Sequence, residues 1–134
     1  MARKRMIDPS IWSSPSFMRL NYRQMIFFIG LFSNADDYGK IKGDPLGLRA
    51  TIFPSKRLSE ETIMADIKAI ESSNDSDIGM LLRYNKNGKS NIWLPKWEVY
   101  QKMNFRSKSN LQNPSDEDLQ HIDSELTKTL LSTD

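Results

Sequence analysis

Cysteine is missing from all 134 residues, and histidine occurs once, at position 121. The first absence removes disulfides, thiolate catalysis and cysteine-bound zinc. The second, with His121 set in an acidic stretch, leaves no Ser-His-Asp triad or multi-histidine metal site to assemble within one chain. No Gly-x-x-x-x-Gly-Lys-Ser/Thr loop occurs, so nucleotide hydrolysis has no visible apparatus. Asp36 and Asp37 are adjacent on a turn and fit Asx-turn geometry better than paired-carboxylate chemistry. Long apolar runs are lacking as well. The longest, residues 25–32, is too short to span a bilayer, and Arg3, Lys4 and Arg5 are not followed by the apolar core of a signal peptide. The expectation is a soluble, cytoplasmic protein that is not an enzyme and uses no cofactor, metal or membrane.

Charge of one sign is scarce only in the sum. A net charge of +2 hides alternating blocks. Residues 1–57 carry ten Lys/Arg against four Asp/Glu, and 58–77 carry one against six. Residues 78–108 carry seven against one, and 109–134 again one against six. A polyanion responds to a local patch rather than to the total, so the two basic blocks are the informative feature.

The opening segment, with Ile7, Ile11, Trp12 and Phe17 broken by Pro9 and Pro15, reads as an irregular arm or short strand pinned by Trp12. Residues 22–32 read as a core helix with Met25, Phe28, Ile29 and Phe32 on one stripe and Gly30 admitting a close neighbour. Turn residues follow, around a short strand at 40–42. Asp44 before Pro45 marks an N-cap and first helical position, and that second helix runs to Pro54. Ser59, with Glu60 and Glu61 in the first turn and Ile63, Ile67 and Ile70 behind, predicts a third helix. Residues 72–77 are a polar breaker. Two extended runs, 78–84 and 89–94, flank Asn85, Lys86, Asn87 and Gly88 as a β-hairpin. A last helical segment over 96–103 carries Trp97 and Tyr100 on one face. The aromatics Trp12, Phe28, Phe32, Phe53, Trp93, Trp97 and Tyr100 read as core rather than as stacking platforms. A domain over 1–106 is thus predicted, followed by an acidic tail over 107–134. There, Ser115 would cap an amphipathic helix through Leu119, Ile122, Leu126 and Leu130. The order helix, strand, helix, helix, hairpin is the winged helix-turn-helix plan, an α+β class with a three-helix core and the hairpin as wing.

The stretches MARKRMIDPSIW, FIGLFSNADDYGKIKGDPLGLRATIFP and NGKSNIWLPKWEVYQ closely resemble the N-terminal domain of phage and prophage replication-initiation proteins. These are the replisome organisers, related to the DnaD-like winged-helix domains. The resemblance covers residues 1–106 and is most specific over 31–54. It implies a winged-helix domain of a bacterial host cell that engages origin DNA or oligomerises there. It also implies a helicase or helicase loader as partner of a further region absent here. The polar stretch 72–77 departs from the family's short Gly-containing turn between third helix and hairpin.

For DNA contact the candidates are Arg83, Lys86 and Lys89 on the wing, and Arg3, Lys4 and Arg5 as a flexible arm. Lys40, Lys42, Arg49, Lys56 and Arg57 stand around the second helix, and Lys68 on the third. Arg106 and Lys108 would extend the basic surface. Duplex DNA is the expected partner over single strands. Edge lysines also discourage aggregation, so the wing has a bland reading too. The third helix, with Thr62, Asp66, Lys68 and Glu71 expected on its exposed face, is too acidic to approach phosphates readily. The alternative class is therefore a homo-oligomerisation or protein-interaction module, in which that acidic helix meets the basic surface of another chain.

Overall fold

A computed structural model describes residues 3–74, 79–103, 105–120, 122 and 124–131. Among them are six α-helices and a three-stranded antiparallel sheet, an α+β arrangement. Side chains close the helix starts. Ser14 accepts from the Phe17 N–H ahead of α1 (Pro15–Met18), with proline at the first position. Asn21 and Gln24 bond reciprocally at the start of α2 (Tyr22–Asn34), each side chain accepting from the other's backbone N–H. Asp44 caps α3 (Pro45–Ile52), which stops ahead of Pro54, and Ser59 caps α4 (Glu60–Ser72).

The sheet joins β1 (Lys40–Lys42), β2 (Leu82–Lys86) and β3 (Lys89–Trp93) in the order β1-β3-β2. Asn87 and Gly88 have φ of 53° and 76°, the two positive values that a two-residue hairpin turn demands. The first strand therefore runs two residues nearer the tip than the pattern 78–84 predicts, the second starts at Lys89 as expected, and the expected four-residue turn shrinks to two. Residues 75–78, including the end of the polar breaker, lie outside the described residues.

The main core collects Phe27 and Leu31 of α2, Leu48 of α3, and Ile63, Ile67 and Ile70 of α4, closed by Ile41 and Ile92 from the sheet. On α2 the deepest residues are Phe27 and Leu31, while of the expected stripe Phe32 is buried and Met25, Phe28 and Ile29 pack half-buried against the same core, because neighbours cover more than one side of the helix. At Gly30 an added Cβ would stand 2.6 Å from Ile52, so the absent side chain is what lets α3 approach. The opening segment is helical rather than strand-like: a 3-10 turn over Pro9–Ser13 leads into α1. Phe17, fully buried, is its anchor; Trp12 stays 59% exposed and meets Phe17 edge-on. The helix expected over 96–103 shortens to α5 (Trp97–Tyr100), which buries Trp97 and leaves Tyr100 exposed.

A second, smaller apolar cluster forms on the other face of the sheet, where Leu119 and Leu130 meet Tyr84 and Trp93. In the tail, Ser115 and Asp118 exchange hydrogen bonds and close a turn, and α6 (Ser124–Leu131) follows. The single predicted helix is thus split. His121 lies outside the described residues. No helix among the described residues is long and apolar enough to cross a membrane.

Candidate nucleic-acid interface

Strand alternation sorts the cations of the sheet. Residues directly opposite in an antiparallel pair share a face, and every second residue returns to it. The register Lys42↔Asn91↔Tyr84, with Lys40↔Trp93↔Leu82 and Lys86↔Lys89, therefore places Lys40, Lys42, Lys86 and Lys89 on the tail-covered face. Ile41, Arg83 and Ile92 take the face toward the helices. Toward the hairpin tip, Lys42 and Lys89 are exposed and Lys86 is half-buried. Lys86 and Lys89 stand opposite each other, flanking the turn.

Four of the expected contact residues are engaged by partners within the fold. Arg83 makes a two-pronged ion pair with Glu71 of α4 (2.7 and 2.8 Å), which holds its guanidinium pKa above the ordinary value. Its position on the helix-facing side of β2 brings it within reach of α4. Lys40 is buried, and its Nζ donates to the Leu111 carbonyl and Asn113 Oδ1, both at 2.8 Å. Arg5, with only 3% of its side chain exposed, pairs with Asp37 Oδ1 at 3.0 Å and lies over the Trp97 ring. Arg49 donates to the Leu58 carbonyl and ties α3 to the loop before α4.

The N-terminal segment is consequently a pinned strap rather than a free arm. Asp37 accepts from Arg5 and from the Ser107 N–H, with Arg3 at 3.4 Å. Its backbone carbonyl takes the Trp97 indole N–H and Arg106. Burial works against the Asp37 carboxylate, but the Ser107 N–H and the two arginines outweigh it and hold its pKa below the usual range. Arg106 also pairs with Glu98. Met6 and Gln101 exchange two further hydrogen bonds. Asp36 does form an Asx turn, accepting from the Tyr38 and Lys40 N–H groups.

The acidity expected on the exposed face of α4 is also largely internal. Asp66 is 1% exposed and receives Arg23 at 2.7 and 2.9 Å and Gln24 at 3.1 Å, while Glu71 is taken by Arg83. The exposed charges of α4 are Glu60 and Glu61 at its start and Lys68 further along. Lys56 and Arg57 are exposed in the loop before it. Lys4 remains exposed on the strap. There an open concavity of about 240 Å³ is lined by Arg3, Lys4, Arg5 and Lys102 with Phe105. Lys102 and Phe105 were not among the residues predicted; an aromatic set within the basic run Lys102, Arg106 and Lys108 was the signal for them. Comparison with protein-family models, with curated proteins and with solved structures finds no match to this chain.

Proposed function

We propose that this chain is a non-enzymatic winged-helix module that binds duplex DNA, with the β2–β3 hairpin as its wing. The element order from α2 to β3 and the sheet order β1-β3-β2 support the winged-helix reading. The observation that carries the binding reading is the Lys86–Lys89 pair across the tip, joined on the same face by Lys42. Like charges directly opposite in a ladder destabilise it, and a phosphate between them reverses the sign of that interaction. Lys56, Arg57 and Lys68 add phosphate contacts from the helical side. Burial of Asp66 against Arg23 and the pairing of Glu71 with Arg83 offset two of the negative charges that α4 would bring to the backbone. The role is that of a replication-initiation domain of phage type, as the sequence resemblance implies.

Fluorescence anisotropy with a labelled random duplex across a salt series tests this reading. Binding should weaken steeply with salt, and Lys86→Ala and Lys89→Ala should each lower the log–log slope by about one. Slopes unchanged in both variants would remove the wing from the interface. A second reading, self-association, is favoured by the exposed apolar residues Tyr22 and Ile26, one turn apart on α2, and by the exposed Trp12 and Met18 of the segment before it. Light scattering at high micromolar concentration separates the two: a monomer there rejects self-association.

A further inference from the structure

The concavity beside the strap differs in chemistry from the hairpin tip. Its cationic lining has no acid in it: Arg3, Lys4, Arg5 and Lys102 are accompanied by Met6, Gln101, Met103 and Phe105. Asp37 lies against Arg3 and Arg5 and offsets part of their charge, and Asp8 lies within the field of Lys102, while Lys4 and Lys102 keep their side chains exposed. The buried Nε–H of Arg5 finds no acceptor among the described residues. Phe105 is 75% exposed, with the Arg3 guanidinium 5.3 Å from its ring centroid. Arg3 is itself held in place, donating to the Phe105 carbonyl and the Ser107 hydroxyl.

We infer that this concavity is a site for one phosphate-and-base unit of an unpaired DNA strand. The phosphate is taken by Lys4 and Lys102 in the field of the two arginines, and the base stacks on Phe105. Cations that follow a strand's phosphates, interleaved with an open ring, are the means by which single strands are held without sequence preference. Paired bases are stacked on one another and offer no free face, so the site discriminates unpaired from paired DNA. It is independent of the hairpin tip and extends the duplex-binding reading to the junction where a duplex opens.

The test is binding of a labelled oligothymidylate to the full chain at physiological salt, with thymidine monophosphate and inorganic phosphate as separate competitors. Phe105→Leu, which keeps an apolar side chain at an exposed position and loses the ring, should weaken strand binding about 5- to 150-fold. Phe105→Trp should restore it, and Lys4→Ala and Lys102→Ala should each flatten its salt dependence. Duplex affinity should not respond to Phe105→Leu. The mononucleotide should compete better than inorganic phosphate. Absence of strand binding, wild-type affinity in Phe105→Leu, or equal competition by inorganic phosphate would overturn the assignment. Failure of the Lys86 and Lys89 variants to change duplex binding bears on the wing alone.

Discussion

The two faces of the small sheet are closed in different ways. Toward the helices, Ile41 and Ile92 enter an apolar core supplied by α2, α3 and α4, segments that follow each other along the chain. On the other face, Tyr84 and Trp93 are covered by Leu119 and Leu130 from the tail. There the closure depends on a few polar bonds as well: Lys40 to Leu111 and Asn113, and the Tyr84 hydroxyl to the Gln112 carbonyl at 2.6 Å. The first closure cannot open without exposing the whole core. The second is a smaller unit at the end of the described chain, and such units open at lower free energy than the global transition.

The largest effect should come from the residue that joins the strap to the chain leading into the tail. Asp37→Ala leaves Arg5 buried without a counter-charge, and losing one partner of a buried pair costs about 3–5 kcal/mol. A fall in Tm well beyond that of any tail variant is expected in thermal unfolding. Because the Asp37 pKa is lowered on folding, its contribution is complete above its ordinary value of 3.8 and is lost as pH falls through the lower folded value. Ile67→Ala comes next, at about 2–5 kcal/mol, since Ile67 is fully buried between helices. Leu130→Ala should instead speed hydrogen exchange within α6 and the 107–120 segment and leave exchange in α2 and α4 unchanged. Equal acceleration everywhere would mean that the two faces unfold as one unit.

Alkaline pH sharpens the same contrast. Burial pushes the Tyr84 hydroxyl above its ordinary value of 10.0, with Asp36 and Asp118 adding to the shift. The folded protein then keeps a proton that the unfolded chain loses near pH 10, so stability is complete below that pH and falls as pH rises beyond it. Exchange in the tail should quicken there first, and Tyr84→Phe should remove that pH dependence. The smallest effect on stability is expected at the tip: Lys86→Ala and Lys89→Ala should stay within about 0.5 kcal/mol in chemical denaturation.

The features legible in the sequence are those whose partners are near in the chain. Asp44 with Pro45, and Ser59, mark their helix starts through bonds spanning a few residues, Asn87 and Gly88 fall within the stretch expected to turn, and Ile63, Ile67 and Ile70 announce their face by spacing. The candidate site was harder to read, because a lysine or arginine carries the same pattern whether it faces solvent or a carboxylate. Arg83 finds Glu71 twelve positions away, Arg5 finds Asp37 at thirty-two, and Lys40 finds Leu111 at seventy-one. None of those separations leaves a local periodicity. Trp12 and Phe17 show the same limit among apolar residues, since either was suited to anchor the strap and only the packing around Phe17 selects it.

By itself the sequence determined the order of elements from α2 to β3, the caps of α3 and α4 and the apolar spacing that commits α4 to the core, because these follow from bonds and sterics within a turn or two. The tertiary structure decided which cations remain for a ligand. An exposed basic residue and one neutralised by a buried acid differ only in what the rest of the chain brings to them, and desolvation with its compensating pair exists only once the chain has folded.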